Sequence, residues 1–314
     1  MKKMRLFRYK YWTIACRKRG TKPIYRQEQI TDLTVVLRAK SGIQADPFLI
    51  GKDGKSYLFY ETAGPVTGKG KIACLALDDA HAKPRIVLKE PFHLSYPYVF
   101  SHAGQYYMMP ESRQNHKVML YRAKQFPWEW EPCRELLAKD AVDSTLFTCG
   151  GKTYLFTYCE GALEIYVCET DEQGLPAKAV LLKRLPKSKS ARPAGALVRE
   201  ENRYYRPSQL CENFYGEAVL MNEAAVENLQ ALCAPEGANG QKELPEQERF
   251  RIQASNIRIP GLHVLGIHTY NADERYEVVD LYCAQYSLWG LVKKCCYIPL
   301  QIVYELWQKR SRRL

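Results

Sequence analysis

Four segments of this 314-residue chain echo one another at nearly constant spacing, and that recurrence narrows the choice of fold more than any other feature. They are Asp46-Pro47-Phe48-Leu49-Ile50, Tyr96-Pro97-Tyr98-Val99-Phe100, Asp143-Ser144-Thr145-Leu146-Phe147 and Arg192-Pro193-Ala194-Gly195-Ala196, with starts 50, 47 and 49 residues apart. Each is followed by a turn and an aromatic second strand, such as Tyr57-Leu58-Phe59-Tyr60 or Tyr106-Tyr107-Met108-Met109. Asp53-Gly54, Ala103-Gly104 and Gly150-Gly151 supply the two-residue turns, so each unit opens with a β-hairpin. Further short strands are expected at Lys71 to Ala76, Lys117 to Tyr121 and Leu163 to Cys168. A fifth unit is expected at Leu262 to Asn271 with Tyr276 to Cys283, after a polar insertion at about 226–250. Units of three or four strands at this period predict an all-β chain, a five-bladed β-propeller over residues 27–285. A β-sandwich, the competing fold, needs no such recurrence. Tyr11 to Ala15, within a basic N-terminal segment 1–26, is expected to close the ring and remove its edge.

Charge is distributed unevenly. The chain has 46 Lys and Arg against 34 Asp and Glu, a formal charge of +12. Residues 1–26 hold 10 of those cations and no acid, and 286–314 hold six cations with Glu305 alone. The body between them carries 30 basic and 33 acidic residues. Nucleic-acid binding by the main surface is therefore not expected. The eleven cysteines show no C-x-x-C spacing, which argues against a disulfide framework and for a reducing, cytoplasmic setting. The basic start has no apolar run of signal-peptide length. Near the other end the uncharged stretch Cys295 to Tyr304 is interrupted by Pro299, and spanning a bilayer needs roughly 20 residues. The tail 286–314 is instead expected to form a short basic amphipathic helix, either docked on the propeller or lying on an anionic membrane surface at its inner face.

Pairing the hairpins about their turns sets Asp46 opposite Glu61, Tyr96 opposite Glu111 and Asp143 opposite Tyr158. In a propeller these positions meet at one end of the central channel, with Arg192, Arg206 or Gln209 from the fourth unit and His268 and Asn271 from the fifth. Carboxylates, arginines, a histidine and tyrosines around a funnel suit a hydroxyl-rich ligand such as a sugar. Two opposed carboxylates are also the equipment for glycosidic hydrolysis, one protonating the leaving oxygen and one activating water or attacking. Neither a metal nor another cofactor is expected, since the six histidines form no zinc-type pattern. Gly64 to Gly70 lacks the full phosphate-loop pattern and reads as a loop between strands.

Taken in order, Ala45-Asp46-Pro47, Ser95-Tyr96-Pro97-Tyr98, Met109-Pro110-Glu111-Ser112, Val142-Asp143-Ser144-Thr145, Ala191-Arg192-Pro193-Ala194-Gly195 and Tyr205-Arg206-Pro207-Ser208-Gln209 resemble the N-terminal domain of the glucosamine inositolphosphorylceramide transferase family. The resemblance covers roughly residues 10–285 and implies a propeller similar to the arabinanase, invertase and levansucrase clan. It implies that Asp46 stands at the clan's base or nucleophile position and Asp143 at the position that holds sugar and tunes the acid. The clan's acid comes from a later blade, where this chain has Arg192-Pro193-Ala194-Gly195, so Glu111 is this chain's own candidate acid. Leu210 stands where the family commonly has an acidic residue. Plant members join the propeller to a glycosyltransferase domain, for which 286–314 is too short, so a separate glycosyltransferase is the expected partner.

Three functions follow as expectations. The first is a carbohydrate-recognising propeller in glycan or glycolipid assembly, with Glu61, Tyr96, Tyr158, Arg192, Arg206, Gln209, His268 and Asn271 binding sugar. The second is a glycoside hydrolase or transglycosidase using Asp46, Glu111 and Asp143. The third is a protein-interaction propeller.

Overall fold

In the computed structural model, which describes residues 8–37, 42–225 and 246–311, with side chains only as far as 306, the recurring units form five antiparallel blades in a ring. Most of the polar insertion lies outside the described residues. Blade one runs from Ile43–Lys52 through Lys55–Ala63 and Lys71–Ala76 to Arg85–Leu88. Blades two, three and four begin at Ser95–His102, Val142–Cys149 and Val198–Glu200 and are likewise four-stranded. Asp53-Gly54, Ala103-Gly104 and Gly150-Gly151 form the hairpin turns, with positive φ at both central residues each time.

Blade five joins the two ends of the chain. Arg8–Lys18 pairs along its whole length with Tyr276–Tyr286, from Arg8 opposite Tyr286 to Lys18 opposite Tyr276. Thr34–Leu37 adds the outer strand, so the propeller begins within the basic N-terminal segment. Its inner strand is broken: His263–Gly266 and Tyr270–Ala272 both pair with Tyr276–Tyr286, and Ile267-His268-Thr269 leaves the ladder between them.

The core is divided among the seams between blades, because each sheet is apolar on both faces. Phe48, Phe59 and Ile72 meet Leu94, Val99 and Met108 between blades one and two. Val219, Met221 and Ile252 meet Ala15, Tyr270 and Val279 between blades four and five. Ile14 and Val278 meet Leu58 and Tyr60 where the ring closes. Burial on this scale, at about 25 cal/mol per Å2 of apolar surface, is what holds the blades radially. All ten described cysteines are free. Beyond blade five, helix α1 (Leu288–Ser311) contains Pro299, and no helix among the described residues is long and apolar enough to cross a membrane.

The hairpin registers differ by one residue from those expected. Ala45, Ser95 and Val142, not Asp46, Tyr96 and Asp143, face Glu61, Glu111 and Tyr158. The cause is one β-bulge repeated in three blades, which sets two residues against one at 46–47, 96–97 and 143–144. Asp46, Tyr96 and Asp143 occupy its left-handed position, at φ 51°, 43° and 52°. The bulge takes these side chains off the face their neighbours share and aims them into the channel.

Candidate functional site

Three bulges and the break in blade five converge on the channel. Asp46 is 5% exposed and fully bonded: Thr269 Oγ1 donates to its Oδ1 at 3.0 Å, and the Tyr96 amide donates to its Oδ2 at 3.2 Å. His268 Nε2 lies 3.0 Å from the same Oδ1, while Nδ1 lies 2.9 Å from Asp280 Oδ2 at ion-pair distance but out of hydrogen-bond alignment, so the ring stands between two buried carboxyl groups. Asp280 also accepts the amides of His268, Thr269 and Asp46. The break in blade five is thereby explained: the amides that leave the ladder are satisfied by a carboxylate.

On the other side, Asp143 Oδ2 accepts Arg192 Nε at 2.5 Å and Gln209 Nε2 at 2.8 Å. The Glu111 carboxyl is also hydrogen-bonded to Asp143. Glu61 is nearly buried, and its Oε1 has no hydrogen bond within the protein; His93 Nε2, 3.4 Å away, is poorly aligned. His93 Nδ1 accepts the Gly70 amide, so Nε2 carries the proton. A Cβ on Gly70 would stand 2.2 Å from the Leu94 carbonyl and 2.8 Å from Glu61, so only glycine lets this loop close under the carboxyl.

The environment divides these acids into charged and neutral forms. Burial opposes ionisation of Asp46, but the His268 imidazolium outweighs it and holds the carboxyl below its ordinary value. Burial likewise disfavours a charged His268, yet Asp280 and Asp46 on either side hold its pKa well above the usual imidazole value. Glu61 is driven well upward by burial and by the nearby charge of Asp46. Glu111 is driven up by burial and by Asp143. Burial raises Asp143 too, with Arg192 pulling against it, and the two carboxyls titrate as a unit in which Glu111 carries the proton.

A test of this division is the pH dependence of stability. A carboxyl raised in the fold costs stability progressively as pH climbs above its unfolded value of about 4.3, by up to about 1.4 kcal/mol per pH unit. Glu111→Gln removes that cost and still offers Asp143 a donor. Its thermal melts are expected to match wild type near pH 4 and to rise above it increasingly towards neutrality. A difference that does not change with pH would refute the neutral assignment.

Asp46, Glu61, Glu111, Asp143, Arg192, Gln209 and His268 are brought together as expected, and Tyr158 lies at the mouth with the Arg192 guanidinium 5.9 Å over its ring. Three others are placed differently. Tyr96 is fully buried; its hydroxyl meets Thr145 Oγ1 at 3.1 Å and accepts the Gly195 amide at 2.7 Å, so it plugs the channel beneath the acids instead of lining the funnel. Arg206 stands at odd spacing from Gln209 on one strand and so faces away from it, into an ion pair with Glu246 and a bond to the Ser190 carbonyl. Asn271 spends its amide on structure, donating to the Pro47 carbonyl at 2.7 Å and accepting the Ala196 amide at 2.8 Å.

Two members were not singled out in the sequence. Asp280 is one, and the solitary acid in the apolar run Val278-Val279-Asp280-Leu281 was its signal. Tyr215 is the other: its ring, 47% exposed, lies 5.1 Å from His268 and 5.2 Å from the Arg192 guanidinium and walls the mouth. Phe214-Tyr215 in a polar loop directly after Gln209 was its signal. Asp46, His268 and Asp280 offer three ligand atoms close enough to hold a metal ion. A separate cavity of about 430 Å3 on the flank of blade five, between Tyr11, Leu33 and Leu262, is lined by no carboxylate or histidine.

Residues 22–233 match the family model described as glucosamine inositolphosphorylceramide transferase 1, N-terminal. A protein of that name from Oryza sativa subsp. japonica is 35% identical over 193 residues, covering 58% of this chain and 26% of the relative. One from Arabidopsis thaliana is 33% identical over 198 residues, with 59% and 26% covered. The matched region thus spans about a quarter of these relatives' length. Among solved structures, an α-L-arabinofuranosidase from Podospora anserina in complex with cellotriose aligns with TM-score 0.54 and 11% identity, over 88% of this chain and 96% of that one. The catalytic domain of a Coprinopsis cinerea GH62 α-L-arabinofuranosidase aligns with TM-score 0.52 and 13% identity, over 86% and 97%. At such identities the likeness is one of fold.

Proposed function

The chain belongs to the glucosamine inositolphosphorylceramide transferase N-terminal family, a family related to glycolipid biosynthesis, and from that premise we propose that its propeller recognises carbohydrate at the channel mouth. The observation that carries this reading is a mouth walled by Tyr158, Tyr215 and Arg192 above the largely buried Glu61 carboxyl, whose Oε1 has no hydrogen bond within the protein, with burial pushing Glu61 and Glu111 towards the neutral form. A neutral carboxyl both donates to and accepts from sugar hydroxyls, and exposed aromatic faces stack on the apolar faces of sugar rings. Supported by the family's name, the ligand class is a glycan of glycolipid assembly.

A second reading, glycoside hydrolysis, is favoured by the split between ionised Asp46 and protonated Glu111, the arrangement an acid and base pair needs. Against it, Asp46 is already engaged by Thr269, the Tyr96 amide and His268, which leaves little basicity for water or an anomeric carbon.

The test is a panel of soluble oligosaccharides and glycolipid headgroups, read by calorimetry for binding and mass spectrometry for products. Binding without turnover is expected, and Tyr215→Ala is expected to weaken it about tenfold, in line with the loss of one aromatic contact. New products that disappear in both Asp46→Asn and Glu111→Gln would establish the hydrolase instead. Absence of both binding and turnover across the panel would favour a protein-interaction propeller.

A further inference from the structure

Helix α1 turns its apolar side to solvent and its polar side to the protein. Leu288, Val292, Cys295, Pro299, Ile302 and Leu306 recur at alternating spacings of four and three, forming one stripe, and all are exposed. On the opposite face Lys294, Tyr297, Gln301 and Tyr304 are half-buried. Tyr297 packs on Tyr9 with ring centroids 6.4 Å apart, the Lys293 ammonium sits 4.9 Å over the Tyr9 ring, and Gln301 donates to the Pro65 carbonyl. A helix burying such a face for stability alone would present the reverse pattern, so the outward stripe calls for a partner.

Its position says which end of the propeller that partner meets. Pro65 lies in the loop from Gly64 to Gly70, the same loop that closes under Glu61, and the Tyr9 hydroxyl accepts the amide of Gly42 just before the inner strand of blade one. The Asp53-Gly54 turn is at the far end of that blade. Helix α1 therefore stands on the rim where the mouth opens. Cations lie beside it: Arg8 and Lys10 stand over Tyr286 and Tyr282 at 5.9 and 5.1 Å where the helix begins, and Lys69 is in the Pro65 loop, whereas Lys293 and Lys294 are on the face against the protein. Tyr286 and Trp289, both exposed, are the aromatic types favoured at a membrane boundary.

We propose that α1 lies in the interface of an anionic lipid bilayer with its apolar stripe in the acyl boundary, so that the mouth faces the lipid surface and the ligand is the glycan headgroup of a membrane glycolipid. The headgroup assignment rests on the carbohydrate reading above; the bilayer contact does not. An exposed apolar stripe with Arg8, Lys10 and Lys69 nearby on the same rim is complementary to anionic lipid. A second copy of the chain is disfavoured as occupant, because a two-fold pairing of the stripe would set these cations against one another.

The test is flotation of the full chain with phosphatidylcholine vesicles, with and without phosphatidylserine and carrying no sugar, so that its outcome is independent of glycan recognition. Wild type is expected to float with the phosphatidylserine vesicles and to be released by high salt. The variant Val292→Glu/Ile302→Glu/Val303→Glu, changed only at exposed positions, is expected to lose at least about tenfold of the bound fraction with unaltered melting. Equal flotation of wild type and variant would overturn the proposal. So would a solution dimer of wild type that the variant dissolves and that ignores vesicles, which would assign the stripe to a second copy. Where calorimetry finds a soluble sugar ligand, vesicles doped with the lipid bearing that headgroup are expected to bind wild type more tightly than either contact alone, and no gain would overturn the orientation.

Discussion

His268→Ala is expected to destabilise the protein by about 3–5 kcal/mol, because it leaves Asp46 and Asp280 buried against each other without the cation that separates them. For a chain of this size the melting temperature is expected to fall by roughly 5–8 °C. Adding Asp46→Asn to the variant removes one of the opposed charges and is expected to restore part of the loss, whereas two independent losses would add. The pH dependence has a definite sign. A histidine raised in the fold contributes stability that is complete below its unfolded value of about 6.5 and is lost as pH rises through the folded value. Asp46, lowered in the fold, contributes stability present above its unfolded value of about 3.9 and lost as pH falls through the folded one. The deficit of His268→Ala is therefore expected to be widest between these two unfolded values and to narrow on the alkaline side. It is also expected to shrink in acid, where one carboxyl of the variant takes up a proton. A melt within a degree or two of wild type across that range would refute the bridging role.

The architecture was legible because a repeat advertises itself. Blades one to three carry the same hairpin turn, the same aromatic second strand and the same spacing, and the physics of positive φ at Asp53-Gly54 and Gly150-Gly151 makes those turns readable. The bulges were not legible, since Asp46, Tyr96 and Asp143 adopt left-handed φ values that neither Asp46 and Tyr96 before proline nor Asp143 before Ser144 announces. What fixes them lies elsewhere in the chain: the Asp46 amide is held by Asp280, and the Tyr96 amide by Asp46 itself. Most of the candidate site survived the one-residue slip because the bulge positions all turn toward the channel. Arg206 was lost to strand alternation and Asn271 to two backbone partners that only the closed ring brings together. The two-faced character of α1 was visible as spacing, but which face would meet the propeller depended on Tyr9 and Pro65, far away in sequence.

Arg192→Leu is expected to cost about a hundredfold in glycan affinity, close to 2.7 kcal/mol, the largest single effect at the mouth. The guanidinium does three things there. Its Nε is bonded to Asp143, and its guanidinium carbon stands 5.9 and 5.2 Å from the ring centroids of Tyr158 and Tyr215, so it touches the walls as well as the floor. It is also the cation that opposes the upward push on the Asp143 and Glu111 pair. Without it that pair takes up protons at higher pH, and the residual binding of Arg192→Leu is expected to acquire a pH midpoint above that of wild type. Arg192→Lys separates the contributions. It keeps the charge and is expected to recover most of the melting temperature and the pH midpoint, but an ammonium lacks the planar face that spaces the two tyrosines, so affinity is expected to recover only in part. Full affinity in Arg192→Leu would remove the mouth from consideration as the carbohydrate site. Full affinity in Arg192→Lys would reduce the residue's role to charge alone and place the recognition of sugar on Tyr158, Tyr215 and the neutral carboxyls beneath them.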